Sequence, residues 1–154
     1  MDQRIKITTI EESEEFSIIK ICGFIDEPNA NEIWRNVYEC CLGMNKNILL
    51  DLSQIDFFSS GGASTGGLLN LQIMLADNDR ILILIGLHKK IEEFLISCGL
   101  SLMISFSSSI NDAIDKIKNK EFLSRKIDLF ANIKNRRKAN RLEIEKMFND
   151  IADS

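Results

Sequence analysis

A chain of 154 residues, 45% hydrophobic and 27% charged, has the length and balance of one globular domain, and a single proline leaves little room for disorder. No apolar run approaches the roughly 18 residues of a membrane span, and MDQRIKITTI has neither the apolar stretch nor the small-residue cleavage site of a secretion signal. A cytoplasmic location without a membrane partner is therefore expected.

Ile5, Ile7 and Ile10 alternate with polar residues in RIKITTIEES, and FSIIKICGFI repeats the alternation after the acidic turn EESEE, which predicts a hairpin of two half-buried strands. After Asp26-Glu27-Pro28-Asn29, the residues Ile33, Trp34, Val37, Cys40 and Cys41 follow the period of an amphipathic helix. Asp26 or Asn29 is placed to cap it, with Pro28 tolerated before it or in its first turn. Gly43 and Asn45 punctuate its end, and NILLDLSQI is the near-continuous apolar run of a central strand.

The segment FFSSGGASTGG, Phe57 to Gly67, follows at once and reads as a strand-to-helix turn. Beyond it, GGLLNLQIMLA reads as a helix, DNDR as a turn, ILILIGL as a second buried strand, and KKIEEFLISCGL as a short helix closed by Gly99. SLMISF is the last predicted strand, and SSSINDAIDKIKN opens a helix capped by Ser108 or Ser109. The predicted order is β-β-α-β-α-β-α-β-α, an α/β fold in which helices cover a mixed sheet.

From residue 116 onward no glycine or proline interrupts the chain, so two helices or one long bent helix are expected as an extension, residues 119–154, to a domain of residues 1–118. Leu123, Ile127 and Phe130 form one apolar stripe and Ile144, Met147, Phe148 and Ile151 another, separated by the basic run KNRRKANR. Charge divides along the same line. Residues 1–115 hold 8 Lys and Arg against 17 Asp and Glu, whereas residues 116–154 hold 11 against 6. With acidic residues interspersed and no aromatic residues ready to stack bases, the basic tail does not read as a nucleic-acid site. Docking on its own or a neighbouring acidic body, including a homodimer through the C-terminal helices, fits it better.

The catalytic inventory is thin. His88 is the only histidine, so neither a triad nor a multi-histidine metal site can be built around it. Asp51 and Asp56 lie near the glycine segment, but carboxylates at strand ends are more often caps or solvated than acid-base pairs. Cys22, Cys40, Cys41 and Cys98 sit in apolar segments without CxxC spacing and read as reduced, buried thiols, so no metal and no cofactor is expected. The glycine segment lacks the lysine of a phosphate-binding loop and is not GxGxxG. It offers free backbone N–H groups at a helix start, which can hold an anion, and hydroxyls that can cap a helix or accept a phosphate.

Three stretches resemble the STAS domain family, the fold of anti-sigma factor antagonists and stressosome subunits. GFIDEPNA (Gly23 to Ala30) is similar to the family's G-x-L-D-x-x-x-A, ILLDLSQIDFFSSGG (Ile48 to Gly62) to its strand followed by F-[IM]-D-S-S-G, and CGLSLMISFSSSINDAI (Cys98 to Ile114) to its closing glycine, strand and helix start. The resemblance covers roughly residues 4–118. It implies a protein-binding regulator without enzymatic activity whose partner is a serine kinase that is also an anti-sigma factor, or a similar regulatory protein. The contact face it implies comprises Asp26, Pro28, Asn29, Phe58, Ser59, Ser60, Gly61 and Gly62.

In that family a serine at the start of the helix after the third strand is phosphorylated, and a phosphate's charge of about −1.5 to −2 on a docking surface can switch the complex off. Counted without gaps, the family's Asp-Ser-Ser-Gly falls on Ser59-Ser60-Gly61-Gly62, with Gly61 in place of the acceptor. Shifted by one, Ser60 is the acceptor and Phe58 stands for the aspartate. Ser60, Ser59, Ser64 and Thr65 are thus the phosphorylation candidates, and the alternative is a helix cap with no modification. Two further readings stay open: a scaffold subunit that forms homo-oligomers through its C-terminal helices, and an anion- or nucleotide-binding domain built on the glycine-rich turn.

Overall fold

A computed structural model describes residues 6–59 and 61–152, so the predicted contributions of Ile5 and Ser60 lie outside the described residues. Strands β1 (Lys6–Glu12) and β2 (Phe16–Ile25) form the expected antiparallel hairpin, and β2, β3 (Asn47–Phe58), β4 (Leu82–Ile85) and β5 (Ser105–Ser107) run parallel to one another. Spatial order equals chain order, β1-β2-β3-β4-β5, so each parallel pair is joined by a helical crossover. Helices α1 (Glu27–Leu42), α2 (Gly62–Asp77), α3 (Lys89–Ser97) and α4 (Ile110–Lys118) supply those crossovers and the closing cover, and α5 (Lys120–Ala152) extends beyond them.

Strand alternation divides the core into two layers. Ile19, Ile21, Leu50, Leu52, Leu82 and Leu84 point to one face and meet α1, α2 and α3. Ile18, Leu49, Ile83 and Ile85 point to the other and meet Ala113 and Ile117 of α4, with Leu123 and Ile127 of α5 packed against them. Both faces of β3 and β4 are therefore covered, which is why their sequences read as continuous apolar runs instead of alternating ones. Asn47, only 5% exposed at the start of β3, ties the residues that lead into β2 and β4: its amide donates to the Glu15 carbonyl and its side-chain oxygen accepts from the Ile81 N–H.

Helix α1 begins at Glu27 with Pro28 in its first turn and, as expected, is capped by Asp26, which acts together with Asn29: Asp26 accepts from the Asn29 N–H at 3.0 Å and Asn29 accepts from the Asp26 N–H at 2.9 Å. Other expectations are corrected. Strand β3 runs on through Asp56-Phe57-Phe58, so Asp51 and Asp56 both lie within it. SLMISF is not a strand throughout: Leu100–Leu102 is a turn of 3-10 helix and only Ser105–Ser107 pairs with β4. The cysteines are not uniformly buried, since Cys98 is exposed while burial beside Cys40 pushes the Cys41 thiol up to about 12. Ser109, one of the two expected caps, opens α4, accepting from the Asp112 N–H. The extension is one helix separate from α4: Asn119 takes an extended backbone, and its side chain accepts from the Phe122 N–H to open α5.

Candidate functional site

The carboxyl ends of β2 and β3 and the amino ends of α1 and α2 meet at one end of the sheet. This juxtaposition follows from the parallel pairing of Phe24 with Phe57 and of Ile25 with Phe58, which brings both strand-to-helix turns level. The chain closes the pair by a hydrogen bond of 2.7 Å from the Ser59 N–H to the Ile25 carbonyl. Asn29 adds a second tie, donating its side-chain amide to the Phe24 carbonyl at 3.2 Å. Asp26, Pro28, Asn29, Gly61 and Gly62 are thereby brought to one end of the sheet, whereas Phe58 and Ser59, expected on the same face, are buried, at 8% and 5% exposure.

Helix α2 starts four residues earlier than its apolar pattern predicts, with Gly61 at its N-cap position. The small residues of GASTGG are weak helix formers, and packing overrides that weakness. Ser64 is fully buried, and Gly67 lies so close to α1 that a Cβ on it would come within 2.3 Å of the Trp34 ring. Gly62 and Gly66 face open space and, with Trp34, Tyr38 and Met74, line a groove of about 780 Å³ between α1 and α2.

The candidate hydroxyls have different surroundings. Ser59 is 5% exposed, donates to Glu27 Oε1 at 2.7 Å and accepts from the Gly61 N–H at 3.1 Å. Ser64 Oγ is sealed in the core with no hydrogen-bond partner among the described residues, and Thr65 donates to the Gly62 carbonyl within its own helix. Ser60 lies outside the described residues. Neither Ser59 nor Ser64 presents a hydroxyl to solvent, and Gly61, the N-cap residue, has none.

Glu27 is the member of this site that its sequence position does not announce, because an acidic residue in the first turn of a helix reads as a partner of the helix dipole. Its carboxylate instead reaches across to the next crossover. An ideal Cβ on Gly61 would fall 1.4 Å from Glu27 Oε1, so the space a side chain at residue 61 would take is filled by the Glu27 carboxylate. Substituting Gly61→Ser is expected to expel that carboxylate and break its bond to Ser59. Chemical denaturation should show a loss of about 1 kcal/mol for G61S and for E27A alone, with no further loss in the double variant.

Phe57 and Phe58 divide between surface and core. Phe57 is 55% exposed, whereas Phe58 is buried edge-on to Trp34 of α1 and tilted against Phe94 of α3, each ring 6.4 Å away. The site thus combines an exposed aromatic, a carboxylate and the start of a glycine-rich helix, held from below by an aromatic cluster. His88 stands exposed at the N-cap of α3, without a capping bond from its side chain. Asp51 accepts from the Ser53 N–H, and Asp56 is exposed. Among the described residues no three His, Cys, Asp or Glu side chains gather as a metal-ligand group, and no helix is long and apolar enough to cross a membrane.

The comparisons with known proteins agree with this architecture. The STAS domain family matches residues 8–113. No protein of curated function matches the sequence. An anti-sigma factor antagonist from Mycobacterium paratuberculosis superposes with a TM-score of 0.65 at 15% identity, over 77% of this chain and 98% of its own. The anti-sigma factor antagonist SpoIIAA in its unphosphorylated form gives 0.57 at 17% identity, over 75% of this chain and 96% of its own. Part of the murine Slc26a9 anion transporter, 18% of that chain, gives 0.60 at 17% identity over 70% of this one, so the fold occurs in proteins of different activity. With two strand-to-helix turns level at one end of a five-stranded mixed sheet, and the family pattern matched over residues 8–113, the chain belongs to the STAS domain family.

Proposed function

We propose that this chain is a non-enzymatic protein-binding regulator of the anti-sigma factor antagonist kind, whose partner is a serine kinase anti-sigma factor or a similar regulatory protein. The observation that carries this reading is Phe57, an aromatic side chain 55% exposed at the end of a strand whose neighbours Phe58 and Ser59 are buried. Large exposed aromatics on a rigid support are the usual anchors of protein interfaces. The docking face runs from Asp26, Pro28 and Asn29 across Glu27 to Phe57, Gly61 and Gly62.

Of the hydroxyls, Ser60 is the acceptor this reading assigns to any kinase, since Ser59 and Ser64 are occupied by hydrogen bonding and packing. The Glu27 carboxylate beside Gly61 places a negative charge at the start of α2 without phosphate. The same charge weighs against the anion- or nucleotide-binding reading of this turn.

Calorimetric titration with purified serine-kinase anti-sigma factors tests the face. Phe57→Asp is expected to weaken binding at least tenfold while leaving the unfolding transition unchanged, because its side chain is outside the core. Equal binding by the variant and the wild type overturns this placement. Intact mass after incubation with the kinase and ATP separates the two modes of action: a gain of one phosphate that is lost in Ser60→Ala marks a switch, and no gain marks a permanent binding module.

A further inference from the structure

The bond between Glu27 and Ser59 uses the carboxylate as an acceptor and leaves its charge unanswered. Glu27 is an exposed residue, and Ser59 donates to its Oε1 at 2.7 Å. Ser59 is itself fixed, because its N–H reaches the Ile25 carbonyl and its hydroxyl accepts from the Gly61 N–H. With no side chain on Gly61, the carboxylate rests where a Cβ there would stand. The acid is thus held in one place, whereas a glutamate on a helix surface ordinarily samples many rotamers.

An acceptor alone would serve that bond, and a glutamine amide oxygen supplies one. The negative charge also favours the start of α1 through the helix dipole, a weak effect at an exposed site. Among the described residues no cation pairs with it. The ion pairs there, Lys116 with Asp112 and Arg125 with Glu121, lie within α4 and α5. The first basic residue of α1, Arg35, stands eight residues further along, or about 12 Å along the axis. Residues 26–31 and 57–66, which hold the two strand-to-helix turns, contain the carboxylates of Asp26 and Glu27 and neither lysine nor arginine, and Asp56 is exposed beside Phe57.

We propose that Glu27 is a preset anion for a basic side chain of the partner, an arginine whose guanidinium meets the carboxylate while Phe57 enters an apolar pocket next to it. The inference rests on the docking face proposed above and names the chemistry of what docks there. Ser59 occupies one of about four lone-pair sites of the carboxylate, so both oxygens can still accept from a forked donor. Because the carboxylate is in place before the partner arrives, little side-chain entropy is lost on binding. The same charge disfavours a partner that is acidic at this point.

Titration of purified serine-kinase anti-sigma factors with the wild type, Glu27→Gln and Phe57→Asp, at about 50 mM and about 500 mM salt, tests the contact. Glu27→Gln keeps an acceptor for Ser59 and is expected to unfold at the wild-type urea midpoint. It should bind about tenfold more weakly than the wild type at low salt and about equally at high salt. A wild-type affinity indifferent to salt overturns the charged contact. So does a loss in Glu27→Gln that is absent at low salt, or the same at both salt concentrations; the docking face then stands alone if Phe57→Asp still weakens binding tenfold. Unchanged binding by both variants, or no binding by the wild type, overturns the docking face and the contact with it.

Discussion

Replacing Phe58 by alanine is expected to cost about 3–4 kcal/mol, the largest single loss at this end of the molecule. The ring fills the space between Trp34 and Phe94, so its removal leaves a cavity bounded by α1, α3 and the end of β3. Neither neighbour can close that cavity without moving its helix. The position also holds Ser59 in place, so the bonds from Ser59 to Ile25 and Glu27 should loosen with it. Phe57→Ala, one residue earlier and on the exposed side of the strand, should cost less than about 0.5 kcal/mol. Urea denaturation of the two variants checks the contrast, and similar losses in both would place the ring of Phe58 elsewhere.

Gly67→Ala is the second large effect, and it runs against helix propensity. In an exposed helix the change stabilises by up to about 1 kcal/mol. Here the added methyl would lie 2.3 Å from Cγ, 2.4 Å from Cδ1 and 2.9 Å from Cβ of Trp34. Trp34 Cβ is fixed by the α1 backbone and the ring is only 6% exposed, so relief requires the two helices to separate. Overpacking of about 3 kcal/mol less the propensity gain leaves a net loss of about 2 kcal/mol. Gly66→Ala, where a Cβ meets nothing within 4 Å, is the control: it should be neutral or stabilising.

The sheet was legible because both kinds of strand leave a mark. Half-buried β1 alternates, and β3 and β4, covered on both faces, are continuously apolar. The start of α2 was not legible, since Gly, Ser and Thr carry the composition of a loop, and only the proximity of Trp34 and the burial of Ser64 make a helix of them. SLMISF misled for the opposite reason. Its apolar residues serve a 3-10 turn and a three-residue edge strand that alternation cannot separate.

The motif GFIDEPNA located the cap residues Asp26 and Asn29 and the place of Pro28. It could not show Glu27 reaching Ser59, a contact between residues 32 apart that depends on the two turns being level and on Gly61 having no side chain. The tail stripes were visible as helical periodicity, but periodicity does not tell that Phe130 is buried while Ile144, Met147 and Phe148 are exposed.

Hydrogen exchange of the full chain, with and without a bound serine-kinase anti-sigma factor, tests the docking face most directly. Protection concentrated in residues 26–31 and 57–66 is the predicted result. Protection confined to α3, α4 or the free edge of β1, with both strand-to-helix turns unchanged, would contradict it.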